Sequence, residues 1–197
     1  MTKNNYHHGD LAETLIKATV SLLKTKSVAA LSLREVAREA GVSHSAPAHH
    51  FKDKAGLLTA VATEGHKLLT KALLDKTMMP NQDATTKYRA SGEAYIRFAI
   101  AQPAHFEIMF RPELINRSDA SYIEHGKVAR DILAHCVKEV IKEDGLNAEQ
   151  AEAMIISSWS QVHGFVILWL AGNFGDPDNM TMLDHLLKGL LYKPRLS

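Results

Sequence analysis

Apolar side chains recur every three or four residues along most of this chain, and nowhere do they alternate one-in-two as a half-buried strand requires. Leu11, Leu15, Ala18 and Leu22 form the first stripe, widened by Ile16 and Leu23, with Asp10 and Glu13 reading as a capping box at its start. A shorter stripe of Leu33, Val36, Ala37 and Ala40 opens at Ser32, with Glu35 three residues on, and closes at Gly41. Ser43 then reads as the cap of a third helix. Asp53 reads as the cap of a long fourth one, whose Leu57, Leu58, Val61, Ala62, Leu68, Leu69, Ala72 and Leu73 carry it to about Asp75. Tyr95, Phe98, Ala99 and Gln102 mark a fifth, which Pro103 ends while opening a short sixth through Phe106, Met109 and Phe110. Tyr122 to Glu143 is the seventh, broken at Asp144 and Gly145. Asn147 with Gln150 caps an eighth, apolar on nearly every side from Ala151 to Ala171, and Met182 to Leu191 forms the last. The pattern predicts an all-α chain of about nine helices.

The stretch GVSHSAPAHHFKDK, Gly41 to Lys54, is the chemically distinctive one. A helix ending at Gly41, a tight turn through Val42 and a new helix have the spacing of a helix-turn-helix, whose second helix enters the DNA major groove while the first braces it. Such a helix is short and polar on its outer surface. His44, Ser45 and His49 meet that need, because each donates or accepts a hydrogen bond at a base edge or phosphate. Pro47 is tolerated only near the helix start, where backbone amides lack intrahelical acceptors.

Charge sharpens this reading. Residues 1–54 hold eight lysines and arginines against five acidic side chains, while the remainder holds 15 against 17, so a small basic end is joined to a slightly acidic body. A polyanion-binding head would look like this. Ahead of the first helix, Lys3, Asn4, Asn5 and Tyr6 read as a disordered terminus or as a candidate minor-groove arm. No apolar run approaches the ~20 uncharged residues of a membrane span. The start MTKNNYHHGD also lacks the apolar stretch of a signal peptide, so a cytoplasmic protein with no membrane partner is expected. The single Cys136 cannot form an internal disulfide and fits a reducing compartment.

The run from Ser32 to Ser43, SLREVAREAGVS, followed by His49-His50-Phe51-Lys52-Asp53-Lys54 and Leu57-Leu58, resembles the DNA-binding domain of tetracycline-repressor (TetR) family regulators. The position where that family usually carries a phosphate-touching Tyr is Ala48 here. A second likeness lies in Trp159-Ser160-Gln161-Val162-His163-Gly164, preceded by GEAYIRFA from Gly92 and PAHFEIMFRP from Pro103. These segments look like the ligand-binding domain of the TetR subgroup named for its Trp-His-Gly motif.

The resemblance implies an N-terminal three-helix DNA-binding domain, residues 1–55, joined to a helical effector-binding and dimerisation domain, residues 56–197. It implies a homodimer on a double-stranded operator, repression by default, release by a small-molecule effector, and no enzymatic activity or cofactor. It places Arg34 and Lys54 at helix starts where a phosphate would be met, so the expected DNA-binding set is Arg34, Ser43, His44, Ser45, Ala46, Ala48, His49, Lys52 and Lys54. Phe98, Phe106, Met109, Phe110, Trp159, His163 and Phe165 are the candidates to line a largely apolar effector pocket, with Arg97 or Arg111 as anchors for an anionic effector.

Three rival classes stand beside it. An enzyme is opposed by the absence of a nucleophile elbow, phosphate loop, His-Glu-x-x-His or paired-Cys motif. A metal- or haem-responsive regulator would draw ligands from His105, His125, His135, Cys136, His163 and His185, which show no i, i+4 pair. A protein-interaction module with a weakened DNA head is the third, raised by Ala48.

Overall fold

The computed structural model describes residues 8–144 and 147–191. Among these are nine α-helices and no strand: α1 His8–Leu23, α2 Leu33–Glu39, α3 Ala46–Phe51, α4 Lys54–Thr77, α5 Ala84–Ala101, α6 Pro103–Met109, α7 Ala120–Asp144, α8 Ala148–Leu170 and α9 Met180–Leu190. Two short 3-10 turns, Val28–Ala30 and Pro112–Leu114, complete them. The candidate arm at Lys3 to Tyr6 and the break at Gly145 lie outside the described residues.

Helix ends follow local hydrogen bonding. Ser32 caps α2 by accepting from the Glu35 amide at 3.3 Å and donating to the Glu35 carboxylate at 3.0 Å. At the other end Gly41, with φ of +68°, donates to Arg38 while Val42 donates to Ala37, a Schellman closure that needs a left-handed residue. Asp53 accepts from the Gly56 amide at 2.8 Å and starts α4. Asn147 and Gln150 form the reciprocal box at α8.

Two caps differ from expectation. Asp10 lies inside α1 rather than ahead of it. Ser43 does not cap α3, because the helix begins two residues later, with Ser45 at the cap position and no side-chain cap bond. Pro47 explains the shift: behind a cap at Ser43 its missing N–H would be owed to the Ser43 carbonyl, whereas behind Ser45 it is the second helical residue, where no intrahelical acceptor exists.

The chain divides into two compact units, one comprising the residues up to Gly65 with Ala104–Ile123, the other His66–Pro103 with Glu124 onward. In the first, Leu15, Ala18, Val28, Leu31, Val36, Ala37, Leu57, Leu58 and Val61 are buried together with Phe106 and Ile108. Burying such side chains supplies roughly 1.5–3 kcal/mol each before entropy is charged against it. In the second unit α5 packs on α8, and Tyr88, Val137, Val140, Ile141 and Met154 form one core cluster.

One sequence expectation about membranes needs correcting: α8, with 23 residues, is long and apolar enough to cross a membrane by length and composition alone. Its Ser157, Ser158, Ser160, Gln161 and His163 interrupt the apolar surface, and Met154, Ser158, Val162, Phe165, Val166 and Trp169 are buried within this unit.

Candidate nucleic-acid interface

α2, the Gly41 turn and α3 make a helix-turn-helix within the first unit. Pro47 is buried and Phe51 half-buried, which fixes the inner side of α3. Ala48, His49 and His50 are exposed on α3, flanked by its exposed caps Ser45 and Lys52, the latter with φ of +70°. Ser43 and His44 are exposed just before Ser45, with 3.3 Å between the Ser43 and Ser45 hydroxyl oxygens. Ala46 is half-buried at the first helical position. Six residues rise only ~9 Å, short enough to lie across a major groove ~12 Å wide.

Electrostatics favour a polyanion on this unit. Glu35 is paired with Lys26 and bonded to Ser32, and both hold its carboxyl below the usual range. Glu39 accepts from the Ser21 hydroxyl at 3.1 Å, and Asp53 is occupied by the α4 amide. The acids around the motif are thus engaged inside the unit, while Arg34 and Lys52 are exposed.

Lys54 is placed differently from Arg34 and Lys52. Its ammonium donates to the Val28 carbonyl at 2.6 Å and the Ala29 carbonyl at 3.4 Å, bracing the start of α4 against the turn that links α1 to α2. Sequence reading also missed Gly56. A Cβ there would lie 2.1 Å from the Phe51 carbonyl oxygen, so only glycine lets α3 end this close to α4.

Residues 15–61 match the family described as "Bacterial regulatory proteins, tetR family", and residues 88–190 match "Tetracyclin repressor-like, C-terminal domain". The chain belongs to the tetR family. Solved structures agree on the tetR-family fold. A protein with unknown function from Rhodococcus sp. RHA1 is 29% identical over 96% of this chain and 100% of that one, with a TM-score of 0.74. The fatty acid degradation regulator FadR from Bacillus halodurans covers 100% of both chains at 15% identity and 0.72. The TetR family transcriptional regulator PfmR from Thermus thermophilus covers 90% of this chain and 96% of its own at 17% and 0.68. Members of the tetR family are non-enzymatic DNA-binding transcription regulators, which sets the enzyme class aside.

Of the seven pocket candidates of this tetR-family chain, three lie in the first unit and four in the second. Phe106 and Met109 are buried in the first unit, where the rings of Phe106 and Phe110 are 5.0 Å apart. In the second unit Phe98 is buried on α5, and Phe165 stacks between Trp169 and Phe174. Trp159 and His163 are brought together by a residue the sequence reading left out, Tyr95. Its hydroxyl lies 2.9 Å from His163 Nδ1 and accepts the Trp159 indole N–H at 3.3 Å. Burial pushes the His163 imidazole down and the Tyr95 phenol up, so both stay neutral near pH 7.

The arginines read as anion anchors are committed elsewhere. Arg97 bonds Glu93 and Asp184, and Arg111 bonds Glu113 and Glu107. Among the described residues no three His, Cys, Asp or Glu side chains form a group able to hold a metal ion. Cys136 is buried, which raises its thiol pKa.

Proposed function

We propose that this protein is a cytoplasmic homodimeric repressor that leaves its operator when a largely apolar small molecule binds the helical body. Residues 1–55 act as the DNA head and 56–197 as the effector-binding and dimerisation domain. The observation that carries the reading is the exposed polar surface of a six-residue helix and its caps behind the Gly41 turn, with Ser45, His49 and Lys52 all exposed. His44, Ser45 and His49 read base edges, and Arg34 and Lys52 meet phosphates. Ser43 supports the turn, Ala46 and Ala48 offer only apolar contact to a thymine methyl, and Lys54 acts as a brace from within.

Dimerisation is supported by α8. Ile156 is 56% exposed, Ile167 49% and Leu168 45%, and Ser160 and Gly164, small enough for close helix approach, lie between them. A Cβ added at Gly164 would meet nothing within 4 Å. Beside α9, a second copy of this face would close a four-helix bundle and set the two α3 helices one duplex turn apart, ~34 Å.

A gel shift on DNA upstream of the protein's own coding sequence tests this. Four phosphate contacts per dimer, from Arg34 and Lys52, predict a salt slope of about −3.6, or a loss of about two orders of magnitude in affinity between 50 and 200 mM salt. Absence of any shift at 50 mM salt refutes the DNA-binding role. A metabolite panel read by thermal shift and by release of that fragment tests the effector.

A further inference from the structure

The tie between Tyr95, Trp159 and His163 is used by nothing above. Tyr95 is 1% exposed on α5, whereas Trp159, one turn of α8 away from Ile156, is 47% exposed. An indole N–H can only donate, so the Tyr95 oxygen accepts from Trp159, and the same hydroxyl shares a hydrogen bond with His163 Nδ1. One core hydroxyl is therefore tied both to an exposed indole and to a half-buried imidazole four residues further along α8. The indole edge also meets the imidazole, with ring centroids 6.1 Å apart.

We propose that Tyr95 is a positioning residue for the dimer face: through its hydroxyl it holds Trp159 and His163 of α8 in the orientation that a second copy of the chain packs against. This rests on the dimer reading above. An indole hinged at two side-chain torsions samples several orientations when its N–H is released, and that freedom is lost again on association. Anything that withdraws the Tyr95 hydroxyl thus weakens the dimer without touching its surface. Two-fold symmetry doubles the loss, because each protomer presents one such indole to the other.

The molecule contains its own control. The Tyr88 hydroxyl, also on α5, is paired with the Ser158 hydroxyl of α8 at 3.1 Å, but Ser158 is buried and forms no part of the exposed face. Full-length Tyr95→Phe and Tyr88→Phe variants are compared with wild type by thermal melting, by sedimentation over a dilution series, and by the two indole N–H signals in 1H–15N spectra.

Both variants should melt lower by about 2–4 °C, the effect of losing one buried hydrogen bond in a domain of this size. Only Tyr95→Phe should raise the dimer dissociation constant, by about tenfold. Only it should also move the Trp159 indole signal while that of Trp169, bonded to the Pro177 carbonyl, stays in place. Equal dissociation constants for the two variants, with wild type dimeric, overturn the role of Tyr95 and leave the dimer standing. A wild type that stays monomeric at every concentration overturns the dimer itself, and the inference with it.

Discussion

His66 should make this fold lose stability as pH falls below 7. Its imidazole is buried on α4 and packs on α7 where Gly126 leaves room, since a Cβ at that glycine would lie 3.2 Å from Nε2. Burial first, then the charges of His125 and Arg130, push its pKa down from 6.5 to about 4. The folded state therefore favours neutral imidazole. Its contribution is complete above the unfolded value of 6.5, because between 6.5 and about 4 the unfolded chain binds a proton that the folded one refuses. At about 1.36 kcal/mol per pH unit, stability lost between pH 7 and pH 5 comes to about 2 kcal/mol, with the remainder lost by pH 4. His163, also pushed down by burial, adds in the same direction. The carboxylates held low by their partners, Glu35 and Asp83 among them, act in a separate window below the normal carboxyl range. Urea midpoints at pH 7, 6 and 5 for wild type and His66→Leu separate the terms: wild type should fall more steeply than the variant, which keeps the His163 contribution. Parallel curves for the two proteins would refute the assignment.

Two substitutions probe the head. Gly56→Ala drives a methyl group into the Phe51 carbonyl at 2.1 Å, a backbone atom that cannot swing aside, so overpacking should cost about 1–3 kcal/mol and abolish operator binding; calorimetry and gel shift check it, and an unchanged melting temperature contradicts it. Lys54→Met removes the ammonium from two carbonyls, of which that of Val28 keeps the Leu31 amide, and should cost about 1 kcal/mol, read as faster amide exchange between α1 and α2. If Lys54 is a brace, DNA affinity drops at unchanged salt slope; a slope shallower by about 1.8 per dimer would make it a phosphate contact instead.

What the sequence disclosed and what it withheld divide by distance along the chain. Ser32, Gly41, Asp53 and Asn147 were legible because each closes a hydrogen bond within about three residues, so a residue type and a spacing suffice. The start of α3 was misread within the same range, since Ser43 and Ser45 are equal caps by type and only Pro47's missing amide chooses between them. The exposure of Ala48 and His49 on α3 needed only the helix period once that start was known. Lys54 offered no such signal: its carbonyl partners lie 25 and 26 residues back, and a lysine beside a basic motif reads as a phosphate contact. Tyr95 was hidden more deeply, because its place in an apolar stripe marks it as core while its hydroxyl serves residues 64 and 68 positions away. The pocket candidates were gathered by aromatic character, which names what is buried but not what it is buried against. Tyr95 and Lys54 share one arrangement, in which a polar group reaches across its own unit, Lys54 from α4 to the turn between α1 and α2 and Tyr95 from α5 to α8. The surfaces proposed to meet DNA and a second copy are local stretches, α3 and the exposed face of α8, whereas the groups that tie their units together lie elsewhere in the chain.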